Sequence, residues 1–378
     1  MRFKRIFSIL VVAICGLLMT GCWDSLDVNQ KGLTTTVAVD KSDDEYELIV
    51  EIANIIPGED EANGGGENYT TFSAKGESYV DARLTLDQQL DKPIFLGTVR
   101  MLLLTNSMVK DGIGEYLFRL RNLFEYRKAL HLVTTSEKPA DIFEIQADAT
   151  SSAGHTIEDI LIKLHKTGKT IEMSASYALE ELSKSHICFL IPDISIADDV
   201  ITLSGYTIIQ RNFAIDIIPI SQTKGINFII NDDTNYIYTV PFGEHQAIVD
   251  LKLKKRKIIA DYTNDEIDFK ADFEFSALVK YLSINDGFDR KQQQIVVENL
   301  RALVEEDITS AIRHSQQKYK ADYLEFDDIF RIAYSNEYEK MDWYERYQDA
   351  TIRVGTKVIL DPGGEYDYDP DIKWKGDE

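Results

Sequence analysis

Residues 267–275 alternate with a period of two. Ile267, Phe269, Ala271, Phe273 and Phe275 interleave with Asp268, Lys270, Asp272 and Glu274. Successive side chains of a strand point to opposite faces, so this segment has one apolar face and one charged face. Such a strand belongs in an antiparallel sheet with one wet side. Val249, Leu251 and Leu253 alternate with Asp250, Lys252 and Lys254 in the same way. The apolar side needs a cover, and the chain supplies one next. Over about 289–320, Val296, Leu300, Leu303, Val304, Ile308, Ala311, Ile312 and Tyr319 fall on one helical stripe. A second helical stretch, about 336–347, precedes a closing strand at 350–360. This order predicts an α+β arrangement, a mostly antiparallel sheet packed by one long helix.

The first half mixes strands and helices, so the whole chain reads as a mixed α/β, multi-domain protein. Strands are expected at 33–40, 46–56, 69–75, 97–106 and 130–135. The spacing predicts a helix over 77–91 with Val80, Leu84 and Leu90 along one side, and one helix over 108–121 despite Gly112 and Gly114. Pro139 opens a short helix at its permitted first-turn position. Two more helices are expected at 157–166 and 174–185, and from 186 to 282 the pattern is nearly all strand. The triple Gly64–Gly66 lacks a following Gly-Lys-Ser/Thr and sits among acids, so it reads as a linker. The expected division is residues 1–21 as a signal peptide, 22–199 as a mixed α/β domain of one or two subdomains, and 200–360 as the α+β domain. Residues 361–378, acidic with Pro and Gly, are an expected disordered tail. A length of 378 residues suits two or three domains at roughly 150 residues each.

The N-terminus has the form of an address. Arg2, Lys4 and Arg5 precede an apolar run from Ile6 to Leu18, then Leu18-Met19-Thr20-Gly21-Cys22. The run has signal-peptide length and is short of the roughly 20 residues of a transmembrane span. Small residues before a Cys directly after such a run look like a bacterial lipobox. There the Cys thiol carries diacylglycerol and the chain is cut before Cys22. An uncleaved anchor, or an ordinary secretory signal with a chance Cys, are the alternatives. Two acyl chains, at about 0.8 kcal/mol per buried CH₂, anchor a protein firmly. Removing Arg2, Lys4 and Arg5 takes the net charge from −23 to −26. A body that acidic should stand off an anionic membrane while tethered to it. The same charge argues against nucleic acid, which needs clustered Lys and Arg.

The usual signatures of catalysis are missing from the sequence. No pair among His131, His155, His165, His186, His245 and His314 has zinc-ligand spacing. There is no Gly-x-Ser-x-Gly elbow, Walker loop or Gly-x-Gly-x-x-Gly turn. Asp232-Asp233 and Asp327-Asp328 read as solvated carboxylates in a chain with 64 acids, although acid–base or calcium roles are conceivable. Asp367, Asp369 and Asp371 alternate in the tail without EF-hand spacing. Cys188, in the apolar run Ile187–Leu190, reads as a buried small hydrophobe. No metal or cofactor is expected beyond the lipid on Cys22, and the chain is expected not to be an enzyme.

From Cys22 onward the chain resembles the Ger(x)C family of spore germination lipoproteins. The residues that carry the likeness begin with Gly21-Cys22-Trp23-Asp24, followed by Val39-Asp40-Lys41. Next come Glu77-Ser78, Asp81-Ala82-Arg83 and Gly97-Thr98-Val99-Arg100 before the run 101–104. Arg121, Glu125 and Arg127 follow the family's R-x-x-x-E-x-R pattern. Further on, Ala321-Asp322 precedes Tyr323-Leu324-Glu325-Phe326, and Trp343 leads into the closing strand. The family often shows Gly-Phe-Gly in the 323–326 segment, and both glycines are missing here. The resemblance implies a non-enzymatic, lipid-anchored subunit of a nutrient germinant receptor on the outer face of the spore inner membrane. It implies assembly with an A-type and a multi-spanning B-type membrane subunit. The candidate interface residues are Trp23, Asp24, Arg100, Arg121, Glu125 and Arg127. Arg121 and Glu125, four apart, equally suit a simple intrahelical pair, and Trp23 an aromatic at headgroup level. The competing readings are a solute-binding lipoprotein of a transporter, with two hinged lobes, and a surface hydrolase.

Overall fold

The computed structural model describes residues 30–42, 45–54, 68–122, 126–145, 151–171, 173–283 and 288–361. The signal segment, Cys22, Trp23, Asp24, Glu125, the 57–67 linker and residues 362–378 lie outside these. Aliphatic runs up to Pro219 build one mixed sheet. Its strands are β1 (Gly32–Ser42), β2 (Glu45–Asn54), β3 (Asn68–Gly76), β4 (Ile94–Phe95), β5 (Met101–Thr105), β6 (His131–Thr135), β7 (Cys188–Ala197), β8 (Val200–Gln210) and β9 (Phe213–Pro219). The order is β3-β2-β1-β5-β6-β7-β8-β9, with β4 beside β1. β1, β5, β6 and β7 run parallel at the centre. Every residue of β5 is buried, as a parallel strand covered on both faces requires.

The covering helices are α1 (Tyr79–Gln89), α2 (Asn106–Asp111), α3 (Gly114–Asn122), α4 (Pro139–Ile145), α5 (Ala153–His165) and α6 (Ala175–Glu181). Ile142 and Phe143 of α4 and Ile157 and Leu161 of α5 pack with Ala38, Met101, Leu103 and Val133 on one face. Leu86, Met108, Leu117 and Ala178 join Val37, Val39, Leu102 and Leu104 on the other.

Two local expectations are corrected here. Helix α1 buries Tyr79, Ala82 and Leu86, leaving Val80 and Leu84 49% and 55% exposed. The Tyr79 ring sits 4.1 Å from Tyr46 and 4.7 Å from Tyr116 between centroids, and these contacts set the helix rotation. The single helix expected over 108–121 is two, α2 and α3. Gly112 breaks it with φ +125°, a conformation open to glycine. Asn212, in the β8–β9 turn, then accepts the Ile113 and Gly114 N–H groups at 3.0 and 2.5 Å and starts α3.

The second sheet comprises β10 (Asn235–Phe242), β11 (His245–Thr263), β12 (Glu266–Leu282) and β13 (Thr351–Asp361) in that order. The first three are antiparallel, and β13 joins β12 in parallel. Its helices of seven or more residues are α7 (Lys224–Ile230), α8 (Arg290–Arg313), α9 (Phe326–Ala333) and α10 (Trp343–Asp349); a single turn, Ser335–Tyr338, lies between the last two. Ile267, Phe269, Ala271, Phe273 and Phe275 are all buried, as the alternation predicts. Asp289 and Gln292 form a reciprocal capping box at the start of α8. Val296, Leu300, Val304, Ile308, Ala311 and Ile312 of α8 are buried, whereas Leu303 is 39% exposed and off the stripe. A π-helical turn, His314–Tyr319, ends the element.

The first sheet continues past residue 200. β8 returns as a hairpin on β7 and β9 pairs with β8, so residues 200–219 complete the first sheet. The two units are not separate cores. One hydrophobic cluster runs from Val37 and Leu102 through Cys188, Phe189 and Tyr323 to Phe275 and Val304.

Candidate functional site: a pocket at the seam

After α8 the chain turns through Lys320, in a left-handed conformation, into the segment 321–325. Asp322 there is 1% exposed. Its carboxylate accepts the indole N–H of Trp343 at 2.8 Å and the backbone N–H groups of Phe326 and Asp327 at 3.2 and 2.7 Å. Burial, then the adjacent Asp327 charge, push the Asp322 pKa above the usual carboxylate range, against these three donors. Asp322 thereby fixes the start of α9 to α10. Phe330, Tyr338 and Tyr347 gather around the Trp343 ring, with Phe330 5.1 Å from it. The Tyr347 hydroxyl shares a hydrogen with Ser315 in the π-helical turn.

This anchored segment meets the first sheet in a pocket of about 380 Å³. Residues from α5, α6, β7, the end of α7 and the 321–325 segment line it. Two carboxylates face it. Glu181, on α6, is 2.8 Å from Lys184, whose ammonium also reaches Asp328 at 2.7 Å across the seam. Glu325 accepts the Tyr177 hydroxyl at 3.1 Å. Burial raises the pKa of both acids, more than Lys184 beside Glu181 or Tyr177 beside Glu325 offsets. Glu325 has φ +64°. It stands within the segment where the family often carries glycine, the residue for which that conformation is free of strain. The buried Tyr323 also lines the pocket, and its hydroxyl has no hydrogen-bond partner among the described residues. Cys188 forms part of the wall; burial, then the Asp322 and Asp327 charges, push its thiol pKa well up. That makes it an unreactive small hydrophobe, as its apolar surroundings suggest.

The seam is tied at several points besides Lys184–Asp328. Asn231 donates to the carbonyls of Gly168 and Thr170 at 3.3 Å each. Tyr344 accepts the Ile187 N–H at 2.9 Å, and the Arg211 guanidinium lies 4.3 Å from its ring centre.

None of the sequence-selected interface residues lines this pocket. Arg100, just before β5, lies 3.5 Å from Glu158 of α5, which is also 3.6 Å from His131. Arg121 is exposed at the end of α3, and Arg127 is exposed in the turn before β6. Arg127, like Arg100, lies just before a parallel strand. Cys22, Trp23, Asp24 and Glu125 are outside the described residues. Sequence reasoning passed over Glu181, Tyr177, Tyr323 and Glu325 as site residues. Asp322 and Trp343 were singled out, without their contact. Among the described residues, no three His, Cys, Asp or Glu side chains are grouped to hold a metal ion. No described helix is long and apolar enough to cross a membrane.

Comparison with known proteins decides the family. The profile of the "Spore germination protein N-terminal domain" matches residues 24–196. That of "Spore germination B3/ GerAC like, C-terminal" matches residues 204–364. The chain belongs to the Ger(x)C family of spore germination proteins. Relatives in Bacillus subtilis (strain 168) include spore germination protein A3, 26% identical over 69% of this chain and 70% of that one. Spore germination protein B3 from the same organism is 20% identical over 95% and 97%. The crystal structure of the GerBC protein superposes with a TM-score of 0.54 at 16% identity, covering 86% of this chain and 97% of that one. The mixed α+β fold with two sheets and a long C-terminal helix is thus a shared one.

Proposed function

We propose that this Ger(x)C chain is the lipid-anchored, non-catalytic subunit of a spore nutrient germinant receptor. The observation that carries the reading is the tandem of both family domains, over residues 24–196 and 204–364, starting two residues after the lipobox Cys22. Diacylglycerol on Cys22 would hold the folded body at the outer face of the spore inner membrane. There it would work with A-type and B-type membrane subunits to trigger germination. Arg100, Arg121 and Arg127, the latter two exposed, in a chain of net charge −23, are the residues offered to an acidic partner surface. Trp23 and Asp24 would contact the membrane subunit beside the lipid, and Glu125 would contribute to the same interface.

A solute-binding protein would need two lobes hinged over a cleft. Here one hydrophobic cluster is continuous across the seam and hydrogen bonds lock it, which favours a rigid scaffold. Replacing Cys22→Ala tests the anchor. The variant is expected in the soluble fraction of spore extracts, with impaired nutrient-triggered germination. Undiminished membrane retention would contradict it.

A further inference from the structure

Helix α5, the start of β8 and the start of α7 leave a groove of about 520 Å³ between them. Its lining is mostly apolar and includes Leu164, Leu203 and Tyr236, while Val200 and Ile220 in it stay 56% and 43% exposed. Large apolar side chains grouped in water mark a surface that something covers. Three ammonium groups border the groove, from Lys163 on α5, Lys169 just beyond it and Lys224 on α7. Lys224 lies 4.7 Å from the Tyr238 ring centre. Among the described residues, none of these lysines has a carboxylate partner, and no Asp or Glu lines the groove. Asp198 and Asp199 precede Val200 in the β7–β8 turn, outside the lining. In a chain with 64 acids against 41 bases, such a site suits an occupant apolar on one side and acidic on the other.

The chain itself carries that pattern after β13, outside the described residues. Glu365, Asp367, Asp369 and Asp371 alternate with Tyr366, Tyr368, Pro370 and Ile372. An extended backbone sends the two sets to opposite sides. The starting point is also near the groove. Asp361, which ends β13, is opposite Leu278, Leu278 is opposite Asp250, and Asp250 is opposite Ile237, the neighbour of Tyr236. Three strand spacings of about 4.8 Å separate the ends of that row, roughly 14 Å. The four residues to Glu365 span up to about 13 Å and the ten to Asp371 up to about 33 Å.

We propose that segment 365–372 of this chain lies in the groove as an intramolecular cover. Tyr366, Tyr368 and Ile372 pack on Leu164, Val200 and Ile220. The carboxylates on the outer side meet Lys163, Lys169 and Lys224, whose long stems reach up from the border. The inference is separate from the receptor role, since the family profile ends at residue 364.

The test uses the full chain purified in detergent, mixed from light and heavy isotope-labelled copies. A carbodiimide joins carboxylates directly to neighbouring amines, and mass spectrometry of the digest locates the links. Links from Asp367, Asp369 or Asp371 to Lys163, Lys169 or Lys224 are expected within single copies. They should exceed those to the exposed Lys254 and Lys257 of β11 about fivefold, as a few surface ion pairs allow. Tyr366→Ser combined with Tyr368→Ser keeps every charge and removes the apolar contact, so the groove links should fall about tenfold. Both positions follow the last strand, so melting should not change. Links spread evenly over exposed lysines, links only between light and heavy copies, or links undiminished in the tyrosine variant would each overturn the proposal.

Discussion

Asp322 concentrates more of the C-terminal architecture than any neighbouring side chain, because three N–H donors from two helices converge on it. Asp322→Ala leaves all three buried and unmet, and is expected to cost about 3 kcal/mol in chemical denaturation. Trp343→Phe keeps an aromatic ring but loses the indole N–H and buried volume, so about 2 kcal/mol is expected. Glu325 gives a prediction of its own. Its folded pKa is raised by burial above the unfolded value of about 4.3. The folded state therefore holds that proton more tightly, and the contribution is full below the unfolded pKa. It is lost as pH rises through the folded value. Glu325→Gln should accordingly lose less stability than the parent between pH 4 and pH 7. An identical pH slope in both would contradict the assignment. The sequence already marked Asp322 and Trp343, yet 21 residues separate them, and only the fold of α8 to α10 brings them to 2.8 Å.

At the scale of elements, alternation and stripe periodicity read most clearly where one face is wet. β12 and α8 follow their patterns almost residue by residue, Leu303 excepted. Patterns failed where aromatic packing or a single backbone angle decided the outcome, as in the rotation of α1 around Tyr79 and the break at Gly112. Helix α7 was missed because Ile226, Phe228, Ile229 and Ile230 read as strand, while packing against α8 overrode that preference. Gly225 explains how the two approach so closely: a Cβ there would lie 2.0 Å from the Asp307 carbonyl oxygen. Gly225→Ala must push α7 from α8 and is expected to lower stability by about 2 kcal/mol, read by thermal melting. Asp289→Ala, which removes the α8 capping box, should cost about 1 kcal/mol in the same assay.

For the whole molecule, the sequence showed two compositional halves but not how they join. The hairpin of β8 on β7 carries the first sheet past residue 200, and the core then continues into the second unit. The seam pocket was illegible for the same reason. His165, Glu181, Cys188, Asn231 and Glu325 are spread over 160 residues and meet only in the folded chain. Family membership, in contrast, was readable from short motifs in order, some of which sit at buried contacts such as Asp322. Assembly with membrane subunits is tested by affinity purification of the tagged full chain from detergent-solubilised spore membranes. Multi-spanning germinant receptor subunits are expected to co-purify in fixed proportion. Recovery of this chain alone, from membranes in which those subunits are present, would contradict it.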